Sequence, residues 1–280
     1  MSYIFNLSKK TQFRRIFIVF DNMMVVFYNY NFVLSTKIIC FKLKNLLNVF
    51  PILSIFLLLS VLYVSYDHDV LVEASKLSVF LPNEKPFGLT YGEWSAEWWK
   101  WLLSSPSDSN PSTDKTGEYC TMNQNSANVW FLAGTSGGYE ERKCSIPEGM
   151  AILVSPIEVI CTFAEYPELK TEDDLRNCAK SDQDAVKDVK LIIDSIPMTD
   201  LQNYRVASEL FNVTLPENNI FGSPPQTTEA ISDGTFVMLK GLPVGNHTIY
   251  ASGLLVDFTT SSNLNFVSEV KYDINVIPRK

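Results

Sequence analysis

The chain has 280 residues, with 23 Lys/Arg against 31 Asp/Glu and a formal net charge of −8. The charge is uneven: residues 1–74 hold seven Lys/Arg and four Asp/Glu (+3), and residues 75–280 hold sixteen and twenty-seven (−11). A body this acidic lacks the clustered cations that phosphates demand, which excludes nucleic acid as a partner and argues against broad adhesion to anionic lipid.

The apolar run that begins at Val49 and ends at Tyr66 (VFPILSIFLLLSVLYVSY, residues 49–66) has no charged residue. A run of about 18 such residues is long enough to span a bilayer or to drive export. Lys42 and Lys44 precede it and Asp67 and Asp69 follow it. Cations on the leading side place the C-terminal part outside the cytoplasm. Two readings follow: a retained transmembrane anchor, or a signal peptide cleaved after Val72-Glu73-Ala74. The stretch before it, residues 1–48, is then cytoplasmic. Within it residues 13–30 are apolar but broken by Arg14, Arg15 and Asp21, and a charge near mid-span costs roughly 3 kcal/mol, so a second span is not expected. Met23 and Met24 offer internal starts for a shorter chain.

Residues 67–85, with Pro82, read as an extended linker, and residues 86–280 as one β-rich extracytoplasmic domain. Thr90-Tyr91-Gly92-Glu93 has the form of a capping box, with Thr90 at the N-cap and Glu93 three residues on. Trp94, Trp98 and Trp101 follow at helical spacing, Trp99 and Leu103 widen the apolar side, and Pro106 stops the helix. These tryptophans read as a core stripe packed on a sheet, as an exposed platform on which sugars or other flat ligands stack, or as a membrane-interface belt beside the apolar run. Residues 104–128 form a polar, turn-rich loop tied by Cys120. Residues 129–134 and 139–144 are expected to pair as a hairpin about the Gly134–Gly138 turn, and residues 150–163 form a buried strand interrupted at Pro156. Thr171 caps a second, acidic helix over 171–190. Strands follow at 189–196, 204–206, 210–215, 235–240, 247–255 and 270–277, with Asp233-Gly234 read as a turn. Short strands separated by Gly/Pro/Asn turns give a mainly β fold class, a β-sandwich or jelly-roll ectodomain with two attached helices behind one N-terminal transmembrane or signal helix.

Tyr91-Gly92-Glu93-Trp94-Ser95-Ala96 with Trp98-Trp99-Lys100-Trp101, then 129–135 (VWFLAGT), Cys144-Ser145-Ile146-Pro147-Glu148-Gly149 and Ser232-Asp233-Gly234, resemble a family of uncharacterised exported β-rich proteins of archaea and bacteria. The resemblance covers about residues 86–280. It implies export and a β-rich body, and it implies no activity.

Of the five cysteines, Cys40 precedes the apolar run, whereas Cys120, Cys144, Cys161 and Cys178 follow it. An even set in an exported body reads as two disulfides, and four cysteines allow three pairings. Cys120–Cys144 with Cys161–Cys178 closes the shorter loops. No Cys-x-x-Cys spacing is present, so a structural zinc is not expected, and no cofactor is expected. The two histidines, His68 and His247, are too few for multi-His metal sites and make a Ser-His-Asp triad at Gly134–Gly138 improbable. Glu93 and Glu97, one turn apart beside tryptophans, are the catalytic alternative, a carbohydrate-active hydrolase. Helix capping by Glu93 and pairing of Glu97 with Lys100 is the simpler account. Asp182, Asp184 and Asp188 lack the loop glycine of an EF-hand and read as a solvated helix face. Asn212-Val213-Thr214 and Asn246-His247-Thr248 are glycosylation sequons. The sequence therefore predicts a membrane-anchored or secreted protein with a binding or cell-envelope structural role, its partner a glycan or an envelope protein, and the bilayer itself through residues 49–66 if these are uncleaved.

Overall fold

A computed structural model describes residues 15–20, 23–28, 78–256 and 265–279. The chain divides into two units, Met1–Tyr66 and Asp67–Lys280. In the first, β1 (Arg15–Phe20) and β2 (Met23–Tyr28) pair antiparallel with Phe20 opposite Met23. Both strands are rich in β-branched and aromatic residues, which favour extended backbone. The apolar run 49–66 lies outside the described residues, and among those no helix is long and apolar enough to cross a membrane.

The second unit is mainly β. Sheet 1 has the order β3 (Val129–Leu132), β5 (Ala151–Thr162), β10 (Gln226–Leu239) and β8 (Arg205–Ala207), with β9 (Phe211–Leu215) also on β10. Sheet 2 has the order β4 (Gly138–Pro147), β12 (Asn265–Ile277), β11 (Gly245–Val256), β6 (Val186–Ile193) and β7 (Ile196–Pro197). Helix α1 (Tyr91–Leu103) covers one face of sheet 1, with Ser95 bonded to Ser232 and Trp98 against Phe236. The other face receives sheet 2, where Ile157 fits against Gly253, and helix α2 (Glu172–Asp184), whose Leu175 and Ala179 pack with Cys161 and Ile231. Alternation of side chains along β5 and β10 separates these two faces. A Cβ on Gly253 would stand 2.5 Å from Ile157, so this close approach requires glycine.

Several expectations are corrected. The segments 129–134 and 139–144 do not form a hairpin. β3 runs parallel to β5 in sheet 1, and β4 runs parallel to β12 in sheet 2. The turn between them passes from one sheet to the other, and the two parallel pairings make mixed sheets rather than the antiparallel Greek keys of a jelly roll. Pro156 does not interrupt β5. It lies where the register with β10 slips between Thr235 and Val237, a bulge that needs no ladder donor from proline. Asp233-Gly234 is not a turn but the middle of β10, opposite Val159 and Glu158. Gly234 is required there because a Cβ would lie 2.7 Å from the Cβ of Glu158. The second helix ends at Asp184, where Val186 starts β6, so Asp188 sits on a strand at φ 53° rather than on a helix. The expected linker is partly docked, since Val79 bridges to Leu239 and Phe80 N–H donates to Met238.

Both expected disulfides are present, Cys120–Cys144 and Cys161–Cys178, with sequence separations of 24 and 17. The first ties the 104–128 loop to β4, and the second ties α2 to β5. Loops of that length stabilise by about 3 kcal/mol each in the chain-entropy account.

Candidate functional site

The tryptophan helix is built as the sequence suggests. Thr90 Oγ1 accepts from Glu93 N–H at 3.2 Å, and Glu93 Oε2 accepts from Thr90 N–H at 2.7 Å. The rings, however, face inward. Trp94, Trp98, Trp99 and Trp101 are 6%, 0%, 7% and 6% exposed. Trp98 packs edge-on against Trp99, Trp101 and Phe236 at 5.1, 5.8 and 5.9 Å. Three indole N–H groups are tied to backbone carbonyls: Trp94 to Pro86, Trp98 to Leu132 and Trp101 to Met122. The stacking platform is therefore a correction. The helix is buried on every side but the strip of Glu93, Glu97 and Lys100, by sheet 1 beneath and by the disulfide-tied loop around Met122 above.

Glu93 and Glu97 do not form a catalytic pair beside those rings. Hydrogen bonds from Thr90 hold the Glu93 carboxyl below its usual range, keeping it an anion that caps the helix. Glu97 is half-exposed and pairs with Lys100 at 2.8 Å. Glu93 lines a depression with Pro82, Lys85 and Glu209 in which Glu97 has no part, so the two do not flank one cleft.

The 104–128 loop is fixed by a cation that the sequence did not single out. Arg142 on β4 is fully buried and donates from Nε to Asp114 O (2.6 Å), from Nη1 to Gly134 O (2.9 Å) and Tyr272 Oη (2.9 Å), and from Nη2 to Ser112 O (3.1 Å). Burial pushes the Asp114 carboxyl up, but the amides of Thr116, Tyr119 and Gly117 and the charge of Arg142 hold it below the usual carboxylate range. The Gly134–Gly138 segment is the turn leading to β4. Its Ser136 bonds Ser112 Oγ at 3.0 Å, and His247 is engaged elsewhere, so among the described residues no histidine stands beside it to form a triad.

The outer face of sheet 2 carries an open depression of about 540 Å³, whose lining includes Lys143, Ser145, Asp194, Asn246, His247, Thr248, Asp273 and Asn275. The strand register explains its make-up. Lys143, Asp273 and Thr248 stand opposite one another across β4, β12 and β11, and Ser145, Asn275 and Asn246 form the next row. These are the outward positions of strands whose inward positions, Cys144, Ile146, Ile274 and Val276, are buried. The rim is fixed by Asp194, whose Oδ1 accepts from Thr248 N–H at 2.8 Å and whose Oδ2 lies 2.6 Å from His247 Nδ1. His247 Nε2 lies 2.8 Å from Pro243 O. Both ring nitrogens thus face oxygen partners and neither is open to serve as a base. Amides, hydroxyls, carboxylates and one ammonium on a wet sheet face can exchange hydrogen bonds with a polyhydroxylated ligand, and they contain no nucleophile–base pair. Spacing in one strand identifies such outward residues, but the parallel pairing of β4 with β12 that gathers them is a long-range contact with no local signal.

Two further carboxyls stand out. Glu158 on β5 is partly buried as a residue, but its Oε2 lies out of solvent with no hydrogen-bond partner, and burial pushes its pKa up to about 8 against a weaker opposing bond from Ser155. Glu165 is raised to about 7 by burial and then by Asp182. Asp182 also groups with Cys161 and Cys178, but those sulfurs are bonded to each other and so are not thiolate ligands for a metal. The sequon residues Asn212 and Asn246 and their threonines are all exposed on β9 and β11.

No family model matches the chain and no curated protein matches it. A match among solved structures is the solution structure of amebosin, at 11% identity over 54% of this chain and 100% of that one, with a TM-score of 0.15. That likeness is too slight to carry an argument about fold or function.

Proposed function

We infer that the protein is an extracytoplasmic β-sandwich binding module, membrane-anchored through residues 49–66 or released by cleavage near Ser75, with a non-catalytic role at the cell envelope. The observation that carries this reading is the pair of disulfides, which close only in the part of the chain that follows the apolar run. The outer face of sheet 2 is the binding surface and a glycan its ligand, because the polar rows around Asn275 and Asp273 offer paired donors and acceptors where the tryptophans offer none. Glycans attached at Asn212 or Asn246 would mark the same exterior side, and one at Asn246 would occupy the depression.

The test is intact-protein mass spectrometry of the native protein with and without reductant, joined to glycan-array binding. A gain of four hydrogens on reduction, and binding that Asn275→Ala abolishes with the fold intact, is expected. Free thiols at Cys120, Cys144, Cys161 and Cys178 would overturn the compartment. Binding that survives Asn275→Ala and Asp273→Ala would overturn the site.

A further inference from the structure

Where the described body begins, residues 78–88 pack Val79, Phe80 and Pro86 against the core but leave two large apolar side chains exposed. Leu81 is 55% exposed and Phe87 49%. Phe80, partly buried, links them to the body: its ring lies 5.8 Å from that of Phe87, and the Lys240 ammonium sits 4.9 Å above it. Phe87 is held at φ 53°, ψ 27°, the left-handed region that bulky residues avoid. A strained backbone that keeps an aromatic ring half in water points to function more than to packing. Its ring edge also touches Trp94 at 6.4 Å, so the core sets its position without covering it.

The charges around this cluster are Lys85, exposed, with Glu93 and Glu209 lining one depression beside it, and Lys240 with Glu84, whose carboxylate accepts from Leu81 N–H at 2.6 Å and lies 3.9 Å from Lys240. Two lysines thus stand beside the apolar side chains on a body of −11, with three glutamates near them. Eleven residues, 67–77, separate the apolar run from Ser78, and they reach at most roughly 40 Å when fully extended. Any bilayer holding residues 49–66 thus stays within one short tether of Leu81 and Phe87.

We propose that the Leu81–Phe87 cluster is a membrane-docking surface, with Leu81 and Phe87 entering the headgroup boundary and Lys85 and Lys240 meeting lipid phosphates. The occupant is lipid rather than a protein because the tether keeps a bilayer within reach of the patch, and because a small apolar cluster flanked by lysines suits an interface between acyl chains and phosphates. Docking is local and works without broad electrostatic adhesion, so the acidic remainder of the body faces away from the bilayer. The inference rests on the retained-anchor reading.

The experiment uses the full chain in phosphatidylcholine vesicles that contain a spin-labelled quenching lipid. Cys40→Ser removes the unpaired thiol, and an environment-sensitive fluorophore is placed at Leu81→Cys or, as a control on sheet 2, at Asn275→Cys. Alkaline carbonate extraction reports the anchor separately. Retention in the membrane with the label at 81 losing most of its emission, and the label at 275 unaffected, is the expected result. Phe87→Gly relieves the left-handed strain while removing the ring, so the labelled chain should stay folded and anchored yet recover its emission. Retention with no quenching at 81, or quenching indifferent to Phe87→Gly, overturns the docking surface alone. Release of the chain by carbonate overturns the anchor and the docking surface with it.

Discussion

Helix α1 and the outer face of sheet 2 are opposites that the sequence invites one to confuse. The helix gathers four tryptophans within residues 94–101, the residue type most associated with ligand stacking, and hides them all. The sheet face carries serine, asparagine, lysine and aspartate, which look ordinary along the chain, and presents them in aligned rows. Large apolar rings are drawn into a core unless something holds them out, whereas outward strand positions stay wet by default. Binding potential therefore follows exposure in register and not the conspicuousness of the residues.

The contrast can be broken at its strongest point first. Trp98→Ala removes a fully buried ring and a hydrogen bond to Leu132, and should cost about 3–5 kcal/mol in chemical denaturation. A loss near zero would mean that the helix is not core. Next in size is Cys161→Ser with Cys178→Ser. It should cost about 3 kcal/mol and loosen α2 from β5, seen as faster amide exchange at Leu175 and Ala179.

Glu158 gives a smaller effect with a sharp signature. Its folded pKa of about 8 lies above the ordinary carboxyl value of 4.5, so the native state holds a proton that the unfolded chain releases. The stability it contributes is complete below about pH 4.5 and is lost as pH rises toward 8, by an amount on the order of a few kcal/mol at most. Glu158→Gln should therefore flatten the fall in melting temperature between those limits. An unchanged pH profile would show that water reaches the carboxyl. Smallest of all, Glu97→Gln breaks an exposed pair with Lys100 and should change stability by under about 0.5 kcal/mol. A larger effect, or loss of a hydrolytic activity, would return Glu97 to the catalytic alternative.

Much of the fold was legible because its signals are local. Thr90 with Glu93 and Thr171 with its acidic first turn mark both helix starts, and alternation marks β11 and β12. The disulfide pairing followed from loop length. Strand partnership was not legible. Gly134–Gly138 has the composition of a hairpin turn, yet it crosses between sheets because β3 and β4 each find a parallel partner distant in sequence. Asp233-Gly234 has the composition of a turn, yet Asp233 is engaged by Arg205 at 2.8 Å and Gly234 makes room for Glu158. Arg142 was silent for the same reason, since its acceptors are carbonyls of residues 112, 114 and 134 that no spacing reveals. The binding face inherits this limit, because its rows exist only once β4, β12 and β11 lie side by side.

The most direct test of the claim that the tryptophan helix is core, and that binding belongs to sheet 2, is iodide quenching of the native protein's tryptophan fluorescence. All five tryptophans are at most 8% exposed, so the expected result is a blue-shifted emission that iodide scarcely reduces until the protein is unfolded. Strong quenching of the folded protein, relieved by a glycan, would contradict the account and restore the tryptophans as the ligand platform.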